Sequence, residues 1–201
     1  MRSRKQTRAG RGFSLIELMV VLGIIALLVA LLLPTLAGAR RAAQRVTCSS
    51  NLRQLGIVFE SYTQENDEAY PDARPIPLPF LSISTQPPLY NYLDVWLPLE
   101  TGPGTNRLYD CPDDDTVYPL AGMSYVYSPS VAGTTLTEVL NRRFIQRIGW
   151  GESQIEVASD FDGEAGGTDF ELQAGGTVTV PKRHFKRNIL FADGHVDIVV
   201  R

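Results

Sequence analysis

Residues 13–33 read FSLIELMVVLGIIALLVALLL, and the fold turns on what this stretch does. Glu17 is its only charge and Ser14 its only other polar side chain. As a helix rising 1.5 Å per residue it reaches about 31 Å, the thickness of a bilayer hydrocarbon core. A core helix of a soluble protein would carry a polar stripe along one side, and this run has none. The stretch is therefore predicted to be a membrane-spanning helix over 13–33.

Upstream, residues 1–12 hold Arg2, Arg4, Lys5, Arg8 and Arg11 and no acid, so the net charge of −3 becomes −8 without them. Five basic side chains just before a span favour a cytoplasmic N-terminus, which places the rest of the chain outside. Arg40, Arg41 and Arg45 on the far flank oppose this, but they are fewer and come later. An acidic remainder also argues against a nucleic-acid partner, which needs clustered cations to displace counterions from phosphate. A conventional export signal would be cut after the apolar run, and LAGAR at 36–40 offers small residues there.

The junction itself reads RGFSLIE, residues 11–17. Glycine between a basic leader and an apolar run, with a carboxylate five residues on, resembles the class III leader of type IV prepilins and type II secretion pseudopilins. The resemblance implies cleavage after Gly12 by a prepilin peptidase, N-methylation of the new N-terminus Phe13, and an assembly role for Glu17. Glycine suits the cut because no side chain holds the backbone away from a protease. A carboxylate at the centre of a lone membrane helix costs about 2.5–3.5 kcal/mol on insertion scales. The family relieves that cost with the free amine of a neighbouring subunit's first residue; the alternative is that Glu17 snorkels to the membrane edge.

Beyond the span, Pro34 falls at the twenty-second position after Gly12, where it resembles the kink-forming proline of many pilins. It predicts a bend or local melting. The helix is expected to resume as an amphipathic continuation over 34–62, because Cys48, Leu52, Leu55, Phe59 and Tyr62 share one face. Residues 63–201 are then an extracytoplasmic globular domain. Its first part, 67–90, carries Pro71, Pro75, Pro77, Pro79, Pro87 and Pro88 and reads as an extended loop. Strands are expected at 124–127, 154–158 and 177–180, a further helix is admissible in 130–151, and Asp193-Gly194 suggests a two-residue type I′ hairpin between 188–192 and 195–200. The fold class is thus α+β and pilin-like, a long N-terminal helix packed on a small, mostly antiparallel sheet. Residues 51–56 (NLRQLG), Tyr70-Pro71, Cys111-Pro112-Asp113 and HFKRNILFADGHV at 184–196 also resemble a pseudopilin-like family with a C-terminal His, nine-residue, Asp-Gly element. Here eight residues separate His184 from Asp193, one fewer than in that family.

Cys48 and Cys111 admit either one bridge or two buried thiols. Asp160, Asp162, Glu164 and Asp169 lie in the glycine-rich stretch DFDGEAGGTD and offer hard oxygen ligands of the kind calcium takes. The spacing is not that of an EF-hand, and a solvated acidic loop is the plainer reading, so no cofactor is expected and calcium is the alternative. His184 and His195 lack the further ligands a zinc site needs. No nucleophile-and-base pattern or phosphate loop is present, and no catalysis is expected. Together these features point to a structural subunit of a type IV pilus-like or type II secretion-like filament. Its partners would be prepilin peptidase, other pilin or pseudopilin subunits and membrane lipid. The alternative is a non-polymerising membrane-tethered module that binds polysaccharide or another envelope ligand, with Trp96 and Trp150 as stacking faces. An exported hydrolase is a more remote third reading.

Overall fold

A computed structural model describes residues 14–75, 85–97, 106–161, 167–172, 175–182 and 186–200. Helix α1 spans Leu15–Glu65 and is followed by short helices α2 (Tyr90–Leu93) and α3 (Tyr118–Ala121). Strand β1 (Tyr125–Tyr127) precedes α4 (Leu136–Leu140) and α5 (Arg143–Ile148). Then come β2 (Glu156–Asp160), β3 (Thr168–Glu171), β4 (Thr177–Val180), β5 (Lys186–Phe191) and β6 (Val196–Val200). The class is α+β, as expected. The chain divides into two compact units, residues 1–41 and 42–201, so the second half of α1 belongs to the globular unit.

Within residues 42–201, the helix face anticipated from the spacing is the one that packs. Cys48, Leu52, Leu55 and Phe59 are buried, joined by Val58 and Asn51, while Tyr62 is half-buried. Phe59 stacks on Tyr127 of β1 with ring centroids 5.6 Å apart. Gly56 lies where α1 meets β5: a Cβ there would sit 3.0 Å from the Leu190 Cδ1 atom, so glycine sets how closely helix and sheet approach. The helix ends on a side chain, since the Asn66 amide donates to the Tyr62 carbonyl at 2.8 Å and satisfies one of its orphan acceptors.

The strands form two sheets rather than one. The main sheet has the order β1-β2-β5-β6, antiparallel throughout. Thr177–Val180, expected to join it, instead pairs with β3 in a separate two-stranded ribbon. The ribbon closes a second small core of Val117, Ala121, Phe161 and Val180, an apolar cover that one narrow sheet could not provide. The 130–151 region holds both α4 and α5, and α4 opens on a reciprocal capping box between Thr135 and Glu138.

The terminal hairpin is present with a different turn. Phe191 pairs with His195 through a 3.0 Å bond from the Phe191 amide to the His195 carbonyl, leaving Ala192, Asp193 and Gly194 as a three-residue loop. Of these three only Gly194 has a positive φ, +82°, where a type I′ turn would need two such residues. The arrangement is a tight turn followed by a left-handed glycine, the G1-bulge solution. Gly194→Ala meets no atom within 4 Å, so its cost is backbone strain alone. We expect a loss of about 1 kcal/mol in chemical denaturation, from forcing a Cβ into the left-handed region.

Candidate functional site

The first turn of α1 starts at Leu15, and the Ser14 amide donates to the Glu17 carboxylate (Oε2) at 3.0 Å. Ser14 therefore stands at the N-cap and Glu17 at the third helical position, where a carboxylate satisfies an orphan amide and meets the positive end of the helix dipole. The S-x-x-E pattern of residues 14–17 announces this arrangement. The expectations for Glu17 were an assembly role or snorkelling to the membrane edge, and neither included this local bond. Gly12 and Phe13, the residues expected to flank the cleavage site, lie outside the described residues.

From Ser14 to Arg41 every side chain is exposed. Leu15, Ile16, Met19, Leu27, Leu31 and Leu36 each leave more than 60% of their surface open. An apolar cylinder of this size calls for lipid or other helices around it rather than water. The helix is long and apolar enough to cross a membrane. The helical pattern is unbroken through Pro34, so no local melting occurs there. Proline cannot donate to the preceding turn, and the Thr35 hydroxyl adds a 2.8 Å bond to the Leu32 carbonyl in that stretch.

In the globular unit Cys48 and Cys111 form a disulfide with Cα atoms 4.9 Å apart. Three residues along α1, the buried Asn51 amide donates to the Asp110 carbonyl at 2.8 Å, fixing the segment that leads into Cys111. The Asn51–Gly56 and Cys111–Asp113 motifs thus meet at one junction between helix and loop. Tyr70 and Pro71 meet α1 further along it, where Tyr70 packs against Phe59 and the Tyr127 hydroxyl donates to the Pro71 carbonyl at 2.9 Å. Burial first, and Glu152 second, push the Tyr70 phenol up to about 12, so it stays neutral at physiological pH.

The acidic stretch considered for calcium divides differently from expectation. Asp160 is the last residue of β2 and is 1% exposed, its Oδ2 accepting from both the backbone and the side-chain amide of Asn188 at 2.9 and 2.8 Å. Asp169 sits in β3 and accepts from the Thr179 hydroxyl at 2.6 Å. Both are strand residues bonded across their sheets, not members of one flexible loop, and Asp162 and Glu164 lie outside the described residues. Among the described residues no three His, Cys, Asp or Glu side chains come together as a metal would need. We expect Asp160→Ala to cost about 3 kcal/mol in urea unfolding, because it leaves two buried Asn188 donors without their charged acceptor. Asp160→Asn, which keeps an acceptor, should lose less.

His184 is also outside the described residues, whereas His195 stacks on Phe191 and its Nδ1 contacts the Asp193 carboxylate. Slight burial would raise Asp193, but the side-chain and backbone bonds from His195 outweigh it and hold the carboxyl below its usual value. A depressed carboxylate stabilises the fold above its unfolded pKa and loses that contribution as pH falls through the folded one. The hairpin should therefore loosen only below about pH 4, the ordinary Asp range, as read from amide exchange of Gly194 and His195.

Residues 7–33, which take in the leader glycine, Glu17 and the whole apolar run, match the family model described as the prokaryotic N-terminal methylation motif. Among curated proteins the chain is similar to the type IV wide pilus major component PilA4 of Thermus thermophilus, 38% identical over 60 residues. Over its N-terminal region the chain is similar to type IV prepilins. The similarity takes in 30% of the chain and 46% of PilA4, so it spans less than half the length of that relative. No solved structure matches. The apolar helix of this prepilin-like chain is a membrane anchor, and the long helix with its small antiparallel sheets is a pilin-like α+β architecture. Trp96, one of the two tryptophans considered as stacking faces, packs edge-on against Tyr62 at 5.3 Å, while Trp150 is exposed.

Proposed function

We propose that the chain is a non-enzymatic structural subunit of a pilus-like or secretion-pseudopilus-like filament. The observation that carries this is the apolar helix exposed on every side from Leu15 to Leu36 and headed by Glu17 at its first turn, within a matched methylation motif. The steps would be membrane insertion with the basic leader in the cytoplasm, cleavage after Gly12 by prepilin peptidase, methylation of Phe13, and lateral packing of anchors. Helix-to-helix contact replaces lipid contact, and the Glu17 carboxylate exchanges the Ser14 amide for the Phe13 amine of a neighbour. The globular unit then stands outside the membrane and decorates the fibre, and the reading gives it no cofactor.

Intact-mass and N-terminal measurement on membrane-extracted protein tests the processing. We expect a chain that has lost residues 1–12 and gained one methyl group. A chain beginning downstream of Ala39, with the anchor removed as an ordinary export signal, would overturn the proposal. Sheared, detergent-free filaments containing the protein distinguish a subunit from a tethered module that does not polymerise.

A further inference from the structure

We propose that a cleft between the end of α1 and the terminal hairpin is a binding site for a guanidinium cation on an apolar stem, the chemistry of an arginine side chain. The cleft has a volume of about 590 Å³ and lies wholly within residues 42–201. Pockets of about 300–1,000 Å³ are the usual size for small ligands. The floor is apolar, with Phe59, Val157 and Leu190 buried and Leu136 and Leu140 half-buried beside them. Tyr70 completes the wall, its ring tilted 52° to that of Phe59 with centroids 6.2 Å apart. Only 8% of Tyr70 is exposed, yet among the described residues its hydroxyl has no hydrogen-bond partner. A buried phenol on a cleft wall ordinarily finds one, so this hydroxyl is a polar group waiting for a ligand. The Glu152 carboxylate, also on the cleft, is near enough to contribute to the raised pKa of that phenol.

Charge fixes the sign of the ligand. Glu60, Glu68, Glu152 and Asp193 line the cleft against a single lining cation, Arg53. Within two residues along the chain of the lining side chains, Glu65, Asp67, Asp72, Glu138 and Glu156 add further acids, and Arg142 is the one further arginine or lysine. Asp193 is engaged by His195, but among the described residues Glu60, Glu68 and Glu152 have no ion pair. A cleft lined by one sign of charge over a low-dielectric floor concentrates the opposite sign. The acids come from three directions: Glu60 from α1 and Glu68 from the turn after it, Glu152 from the turn at Glu152–Gln154, and Asp193 from the hairpin loop. A planar guanidinium donates to more than one of them at once and stacks on the aromatic wall, which a compact ammonium does less well. Its carbon stem stays out of water against the apolar floor. The site depends neither on the membrane anchor nor on polymerisation.

The test titrates the full chain in nonionic detergent with the peptide acetyl-Gly-Arg-Gly-amide and reads binding by calorimetry and by the line widths of the peptide's NMR signals. The same peptide with citrulline, which keeps the shape and loses the charge, should bind about tenfold more weakly, because several exposed charge contacts are lost together. Glu68→Gln and Glu152→Gln should each weaken binding of the arginine peptide about threefold, and Glu171→Gln, outside the cleft, should leave it unchanged. Tyr70→Phe should also weaken binding about threefold, the loss of one hydrogen bond, with no fall in Tm, since the hydroxyl has no partner to lose. Agmatine, a free guanidinium on a short carbon chain, separates the two sources of the cation. Affinity equal to that of the peptide assigns the site to a soluble cation and lower affinity to a protein segment, and either supports the site. Arginine and citrulline peptides that bind alike overturn the proposal, as does a Glu60→Gln/Glu68→Gln/Glu152→Gln variant that binds the arginine peptide as the unchanged chain does. Absence of binding by both measurements at millimolar arginine peptide overturns it too.

Discussion

Glu17→Leu should give a protein that inserts into the membrane and loses its leader normally, yet enters filaments about a hundredfold less than the unchanged chain. In the proposed assembly the carboxylate meets the amine of a neighbouring Phe13 away from water. Removing one member of a desolvated charge pair typically costs about 3–5 kcal/mol, because the other charge is left buried alone. The lower end of that range is already about a hundredfold. The same substitution removes the acceptor of the Ser14 amide, worth about 1 kcal/mol at a helix start. Glu17→Gln separates the two effects, since it can still accept from Ser14 but cannot neutralise an amine. The measurement is the ratio of protein in sheared filaments to protein in membranes. Equal incorporation of Glu17→Leu would return Glu17 to a capping role alone.

Removing the disulfide should have the largest effect on the globular unit. Cys48 and Cys111 are 63 residues apart in sequence and both nearly inaccessible, at 0% and 1% exposure. A loop of that length restricts the unfolded chain by about 4 kcal/mol in the chain-entropy account. For a unit of this size the corresponding fall in Tm is about 10 °C. The double variant Cys48→Ala/Cys111→Ala, followed by calorimetry, should show that fall. Either single variant should lose at least as much, as each breaks the same loop. A double variant that melts within a degree or two of the unchanged protein would mean that the unfolded chain keeps enough residual structure around this loop for the bond to restrict it no further.

Much of the fold was legible because its signals are local and periodic. The apolar run needs no partner to be recognised, and the face of Cys48, Leu52, Leu55 and Phe59 follows from helical geometry alone. The hairpin's existence was equally clear, but its loop length was not. Asp193-Gly194 fits a two-residue turn in isolation, and it is the cross-strand pairing of Leu190 with Val196 that adds Ala192 to the loop. The second sheet was missed because Thr168–Glu171 carries two acids in four residues and reads as a loop until it pairs with Thr177–Val180. Burial of Asp160 was invisible for a related reason, since its partner Asn188 stands 28 residues away. At the candidate site the S-x-x-E bond of Ser14 and Glu17 was written in the sequence and overlooked beside the stronger leader signal.

The bridge from Cys48 to Cys111 also has a mechanical meaning. Cys48 is the first buried residue along α1, so a pull arriving from the anchor end reaches a covalent link before any of the noncovalent contacts at Leu52, Leu55 or Phe59. Traction that would otherwise peel the rod from the strands one side chain after another is shared with the loop around Cys111. In the proposed fibre, this link would let the rods bear tension without unravelling the heads they carry.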